Sequence, residues 1–216
     1  MYKKLSKVQF PTPNNLMVNM MPIIMGDPES IPKELLGYLP LIDEVKFDIG
    51  STVYLTVNES IVQSGSQRRG GVHTEGFKDE RFQCFGGGGG RFGGGGRFGG
   101  GIRIAWGGWG GAALNKGVVM ASTDGRTRIW DSMTDNVNHH GALQHEALGK
   151  SEVMDPSTLY WMTDMTPHEA LESVPGTPRQ FFRLVADEVD VWWSQHNTAN
   201  PLGVLPGAHV EMSSKF

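Results

Sequence analysis

The chain has 216 residues, 38% of them hydrophobic, enough for one domain whose core buries about 70% of the surface the unfolded form exposes. Its formal charge is -4 at pH 7 with a pI near 6.0, so there is no overall basic field to grip phosphate backbones and nucleic acid is not the expected partner. Cys84 is the one cysteine, which excludes an intrachain disulfide and a cysteine-rich zinc module and suits a cytoplasmic or other reducing compartment.

Residues 1–27 are apolar but punctuated by proline, which predicts an extended arm instead of a helix. Pro11, Pro13, Asn14 and Asn15 interrupt the charged start before a signal-peptide core develops, and no run of about 18 apolar residues occurs, so neither secretion nor a membrane span is expected. Five of the 11 methionines fall in this arm and suit adaptable packing. Asp27 followed by Pro28 has the form of a helix start, and a short helix to Leu39, ended by Pro40, is expected.

Residues 45–49 alternate apolar and polar, and 52–57 are β-branched and aromatic, which predicts two strands joined by a turn at Gly50. Further strands are expected at 60–63, 81–85, 102–106, 118–122, 126–130, 158–162 and 179–185, with a helical turn or two at 142–148. Short strands separated by turn residues, without alternating helices, predict a mainly β fold: a single antiparallel jelly roll with the N-terminal element packed outside it. The expected division is an arm and short helix at 1–43, the jelly roll at 44–193, and a C-terminal tail at 194–216.

A glycine-rich insertion at 86–111 interrupts the jelly roll. Twelve of the sixteen residues from Gly86 to Gly101 are glycine, around Arg91-Phe92 and Arg97-Phe98. Such a run loses much backbone entropy on ordering and has few side chains to offset it. By composition the run reads as a flexible insertion between two strands, with a low-specificity RNA-binding segment the weaker alternative; if it is ordered, contacts with other copies of the chain are the expected source, in a homo-oligomer or larger assembly.

His73-Thr74-Glu75 places an imidazole and a carboxylate two residues apart, on one face of an extended segment, where both can reach one metal ion. His168 follows Thr166-Pro167, after the buried-strand pattern Leu159-Tyr-Trp-Met. Beyond a turn at Pro175-Gly176, Arg179 opens the strand Arg-Gln-Phe-Phe-Arg-Leu-Val. Two imidazoles and one carboxylate are what a facial iron(II) site with open positions requires, and arginine suits planar, bidentate capture of a carboxylate.

The order and spacing of these motifs over about residues 70–193 resembles the iron(II)/2-oxoglutarate dependent dioxygenases, the double-stranded β-helix family. The resemblance implies Fe(II) held by His73, Glu75 and His168, with no catalytic residue beyond the metal centre. It implies 2-oxoglutarate with its distal carboxylate on Arg179, or on Arg183 four residues along the same strand face, and oxidative hydroxylation as the activity. Glutamate at 75 departs from the HxD form commoner in the family.

Other chemistry finds little support. His139, His140 and His145 lack ligand spacing, Cys84 lacks a nucleophile's context, and the glycine run lacks the Gly-Lys-Ser/Thr ending of a phosphate-binding loop. No Gly-x-Ser-x-Gly elbow is present. Trp192-Trp193 reads as core or interface packing. The second reading is structural: a catalytically silent jelly roll that assembles into a filament or shell through its arm and glycine-rich loop.

Overall fold

A computed structural model describes residues 1–63, 71–75, 102–103, 114–134, 143, 148–186, 188–189 and 191–213. Among them the chain is mainly β, and its sheets are antiparallel apart from one parallel pair near the C-terminus. The strands are β1 (Tyr2–Lys7), β2 (Met17–Ile24), β3 (Thr52–Ile61), β4 (Ile102–Arg103), β5 (Gly117–Ser122), β6 (Thr127–Trp130), β7 (Ser151–Val153), β8 (Thr158–Met162), β9 (His168–Ala170), β10 (Pro178–Ala186), β11 (Glu188–Val189), β12 (Val191–Trp193) and β13 (His209–Glu211). A large sheet has the order β1-β8-β5-β10-β3-β2, and a small sheet the order β7-β6-β9.

The pairings nest. β3 pairs with β10, His73 with His168 of β9, β5 with β8, and β6 with β7, so the chain from β3 to β10 meets itself as one long folded ribbon. Cross-pairs of β10 with β5 and of β6 with β9 then join the ribbon side by side into the two sheets. Gly125 makes the step from β5 to β6 possible: its φ is +59°, and a Cβ there would lie 2.5 Å from the Met154 carbonyl oxygen. No other residue fits that turn without displacing backbone.

Both faces of the large sheet are buried, which is why its central strands read as nearly continuous apolar runs. One face carries Val53, Leu55, Val57, Val119, Ala121, Leu159, Trp161, Phe182 and Leu184 and packs against Leu35, Tyr38, Leu41 and Ile42 of the segment that follows the arm. The opposite face carries Tyr54, Val118, Met120, Tyr160, Phe181 and Val185, clustered with Ile129 of the small sheet and Trp192. Each such aliphatic or aromatic side chain contributes about 1.5–3 kcal/mol when fully buried.

Several elements depart from expectation. The predicted helix is two 3-10 turns, Pro28–Ser30 and Lys33–Tyr38, followed by α1 (Leu39–Asp43). Asp27 does cap the first turn, accepting the Glu29 N–H at 3.0 Å. Pro40 opens α1 instead of ending a helix, because the first turn of a helix needs no N–H from it.

Residues 45–49 form no strand. Val45 and Phe47 are buried in the core, but the Val45 N–H bonds to the Ile42 carbonyl, so the alternation marks burial without sheet pairing. The strands expected separately at 52–57 and 60–63 are one, β3. The extended arm contributes both outermost strands of the large sheet, β1 and β2, and part of the C-terminal tail pairs as β13.

The strand expected at 81–85, Cys84, the glycine-rich insertion apart from 102–103, the helical turn expected at 142–148 apart from 143 and 148, and His139, His140 and His145 lie outside the described residues. Among the described residues, no helix is long and apolar enough to cross a membrane.

Candidate functional site

On β9, His168 stands opposite Ile129 of β6 on one side and His73 on the other. Directly opposed residues of antiparallel strands share a face, so both histidines lie on the side of the small sheet that carries Ile129 into the core. His73 and His168 exchange both backbone N–H···O bonds at 2.9 Å, and their ring centroids are 4.5 Å apart.

Each imidazole is fixed from behind. His73 Nδ1 lies 2.8 Å from the Gly71 carbonyl oxygen, and His168 Nδ1 lies 3.0 Å from that of Thr166. A carbonyl only accepts, so Nδ1 carries the proton in both rings, and in the neutral form Nε2 is the acceptor. Ligating histidines commonly have this second contact, which sets tautomer and orientation together.

Glu75, two residues beyond His73, brings Oε1 to 3.7 Å from His168 Nε2. The same oxygen forms a short ion pair with Arg183 Nη1. Arg183 reaches the group from β10 in the large sheet, beside Thr56 of β3, whose hydroxyl accepts its Nη2 at 3.3 Å. Burial pushes the Glu75 carboxyl up, yet the Arg183 guanidinium, followed by His168 and His73, outweighs burial and holds it well below the ordinary carboxylate value. Glu75 is therefore charged at neutral pH.

Arg179 stands four residues before Arg183 on the same face of β10, only 3% exposed. It meets Asp124, whose Oδ1 accepts its Nε at 3.3 Å, and its guanidinium carbon lies 5.2 Å from the centre of the Phe181 ring. Burial raises the Asp124 carboxyl, but hydroxyls of Ser122 and Ser173, each 2.6 Å away, and Arg179 itself hold it below its ordinary value. Burial pulls Arg179 down and Asp124 opposes this; a guanidinium nevertheless stays protonated. Arg179 Nη1 and Arg183 Nε are buried without a hydrogen-bond partner among the described residues.

The structure thus brings together His73, Glu75, His168 and Arg183, while Arg179 pairs with Asp124. Among the described residues, no group of three or more His, Cys, Asp or Glu side chains is placed to hold a metal ion. Two imidazoles and a charged carboxylate are the side-chain types of an iron(II) facial set, but as placed they do not form one. The Glu75 oxygen nearest His168 is engaged by Arg183.

Thr56 and Asp124 were not singled out by sequence. Thr56 carries a weak signal, as the polar residue within the otherwise apolar run Val53–Val57 of β3, whereas Asp124 in Ser-Thr-Asp-Gly reads only as a turn residue. No family model, curated protein or solved structure matches this chain.

Proposed function

We propose that the chain is a non-haem iron(II)/2-oxoglutarate dioxygenase-like domain that hydroxylates its substrate, built on a jelly roll of the double-stranded β-helix kind. The observation that carries this is the meeting of His73, Glu75 and His168 across the two halves of the ribbon, with both Nδ1 atoms bound to backbone carbonyls. The nested pairing supports the jelly-roll assignment, since strands of a wrapped antiparallel ribbon fall into two facing sheets. Arg179 Nη1 and Arg183 Nε, which have no hydrogen-bond partner among the described residues, support an anion site nearby.

In this reading His73, Glu75 and His168 hold the iron, and Arg179 takes the distal carboxylate of the oxoacid, with Arg183 the alternative. The iron, when bound, supplies the redox chemistry. The chain's own contribution is positional. The carbonyls of Gly71 and Thr166 aim the imidazoles, and Arg183 orients Glu75. The apolar side chains of Tyr54, Met120, Phe181 and Val185 keep water from that side of the site.

The test is anaerobic titration of the purified chain with Fe(II), or with Mn(II) as a redox-inert substitute, with and without 2-oxoglutarate. The wild type is expected to bind one cation, and His168→Ala and Glu75→Gln to bind it roughly 100-fold more weakly or worse. Absence of cation binding by the wild type refutes the assignment.

A further inference from the structure

We propose that the outer edge of β13 is a homodimer interface, at which two copies of the chain pair their β13 strands antiparallel across a two-fold axis through Val210. The inference is independent of the function proposed above.

The first observation is the direction of the backbone. β13 runs parallel to β12, and its Glu211 carbonyl oxygen accepts the Ser194 N–H at 2.9 Å. Successive residues of a strand direct their backbone groups to opposite sides, so those of His209 and Glu211 face β12 and those of Val210 face away. Among the described residues this sheet has two strands, β12 and β13. Val210, 40% exposed, therefore presents an N–H and a carbonyl at a sheet edge that a further strand can satisfy.

The second observation is charge. An antiparallel pair centred on Val210 exchanges both N–H···O bonds between the two Val210 residues and sets His209 opposite the partner's Glu211, twice over. These two side chains share the face opposite that of Val210. Centring the pair one residue to either side sets glutamate against glutamate or histidine against histidine, and it directs backbone groups already turned to β12 at the second copy. Backbone direction and side-chain charge thus select the same register. A second copy of the chain carries the matching complement.

The third observation is the surroundings. No Lys, Arg, Asp or Glu occurs from Val191 to Val210, so on a chain of net charge -4 two copies approach this edge through an uncharged stretch. Met212, 70% exposed, adds apolar surface on the face of Val210. The outermost strand β1 is the contrast: Lys3, Lys4 and Lys7 are exposed there and oppose self-pairing.

The experiment is sedimentation equilibrium of the full chain, with circular dichroism melts to check folding, for wild type, Val210→Pro, His209→Glu and His209→Glu combined with Glu211→Lys. So short a strand gives a small interface, and a wild-type dimer with Kd on the order of 10–100 µM is expected. Val210→Pro removes the outward N–H without removing a bond to β12 and is expected to weaken the dimer at least about tenfold. His209→Glu sets glutamate against glutamate at both symmetric positions, for an expected loss of about three- to tenfold, and adding Glu211→Lys should return Kd to within about twofold of wild type. Where Val210→Pro does not fold, this loss and rescue decide. A wild type that stays monomeric to roughly 1 mM overturns the proposal. So does a dimer that folded Val210→Pro leaves unchanged, or one that Glu211→Lys fails to rescue from His209→Glu.

Discussion

Glu59 and Glu75 meet β10 from opposite faces of the large sheet, and their partners differ in kind. Glu59 Oε1 accepts the Tyr38 hydroxyl at 2.7 Å and Gln180 Nε2 at 3.2 Å, while Oε2 accepts the backbone N–H groups of Asn14 and Leu16 at 2.6 and 2.9 Å. All four donors are neutral, and two belong to the arm. Glu75 is instead faced by a guanidinium and two imidazoles, with its side chain 20% exposed. A carboxylate whose oxygens are filled by fixed neutral donors ties the chain together. One held by a buried guanidinium instead leaves that charge uncompensated when the carboxylate is removed.

The sharpest way to break this comparison is Glu59→Ala. It strands buried donors and releases the arm between β1 and β2, so a loss of about 3 kcal/mol or more is expected in urea unfolding. Proteolysis should also begin near residues 11–16. A loss below about 1 kcal/mol would mean that the arm is held by its apolar contacts alone.

The next largest effect is expected at the other carboxylate, and it should be recoverable. Glu75→Gln leaves Arg183 charged and buried, at a cost of about 2 kcal/mol, short of that for a fully buried pair because Glu75 retains some exposure. Adding Arg183→Met should restore at least half of that loss, since neither charge then remains. Strict additivity of the two substitutions would show that the ion pair contributes nothing to the fold.

How far this contrast could be read in advance depends on range along the chain. β3, β5, β8 and β10 are legible because sheets buried on both faces demand apolar runs, as in Leu159-Tyr-Trp-Met and Phe181-Phe182. β7 and β9, Ser-Glu-Val and His-Glu-Ala, are not: two of the three side chains in each are polar, and they become strands only because β6 lies between them. His73 and Glu75 share a face by simple alternation. Whether Arg179 or Arg183 meets Glu75 depends on the register of β10 against β3, in which Arg183 pairs with Thr56. No local pattern specifies that register.

Acid separates the two faces in a further way. Burial raises the Glu59 carboxyl, but hydrogen bonds from Leu16, Tyr38, Asn14 and Gln180 outweigh it and lower the group below its ordinary value of 4.5. A lowered carboxyl contributes stability that is complete above the unfolded value and is lost as pH falls through the folded one. Wild-type stability should therefore fall below about pH 4.5, with a shallower decline in Glu59→Gln. Equal slopes would show that other carboxyls govern acid unfolding.

The smallest expected effect isolates the ring hydroxyl of Tyr38. The Tyr38 ring stacks on Phe182 with centroids 6.3 Å apart and planes within 5°, so Tyr38→Phe preserves packing and removes only the hydroxyl shared by Glu59 and Gln180. Glu59 keeps its two backbone donors and Gln180, which limits the expected loss to about 1 kcal/mol. Burial, with Glu59 next to it, raises the Tyr38 phenol above its ordinary 10.0. A raised value contributes stability that is full below the unfolded value and is lost as pH rises through the folded one, so the variant should also decline less steeply above about pH 10. A loss equal to that of Glu59→Ala would place the organising role on the hydroxyl, and the carboxylate would then be one more of its partners.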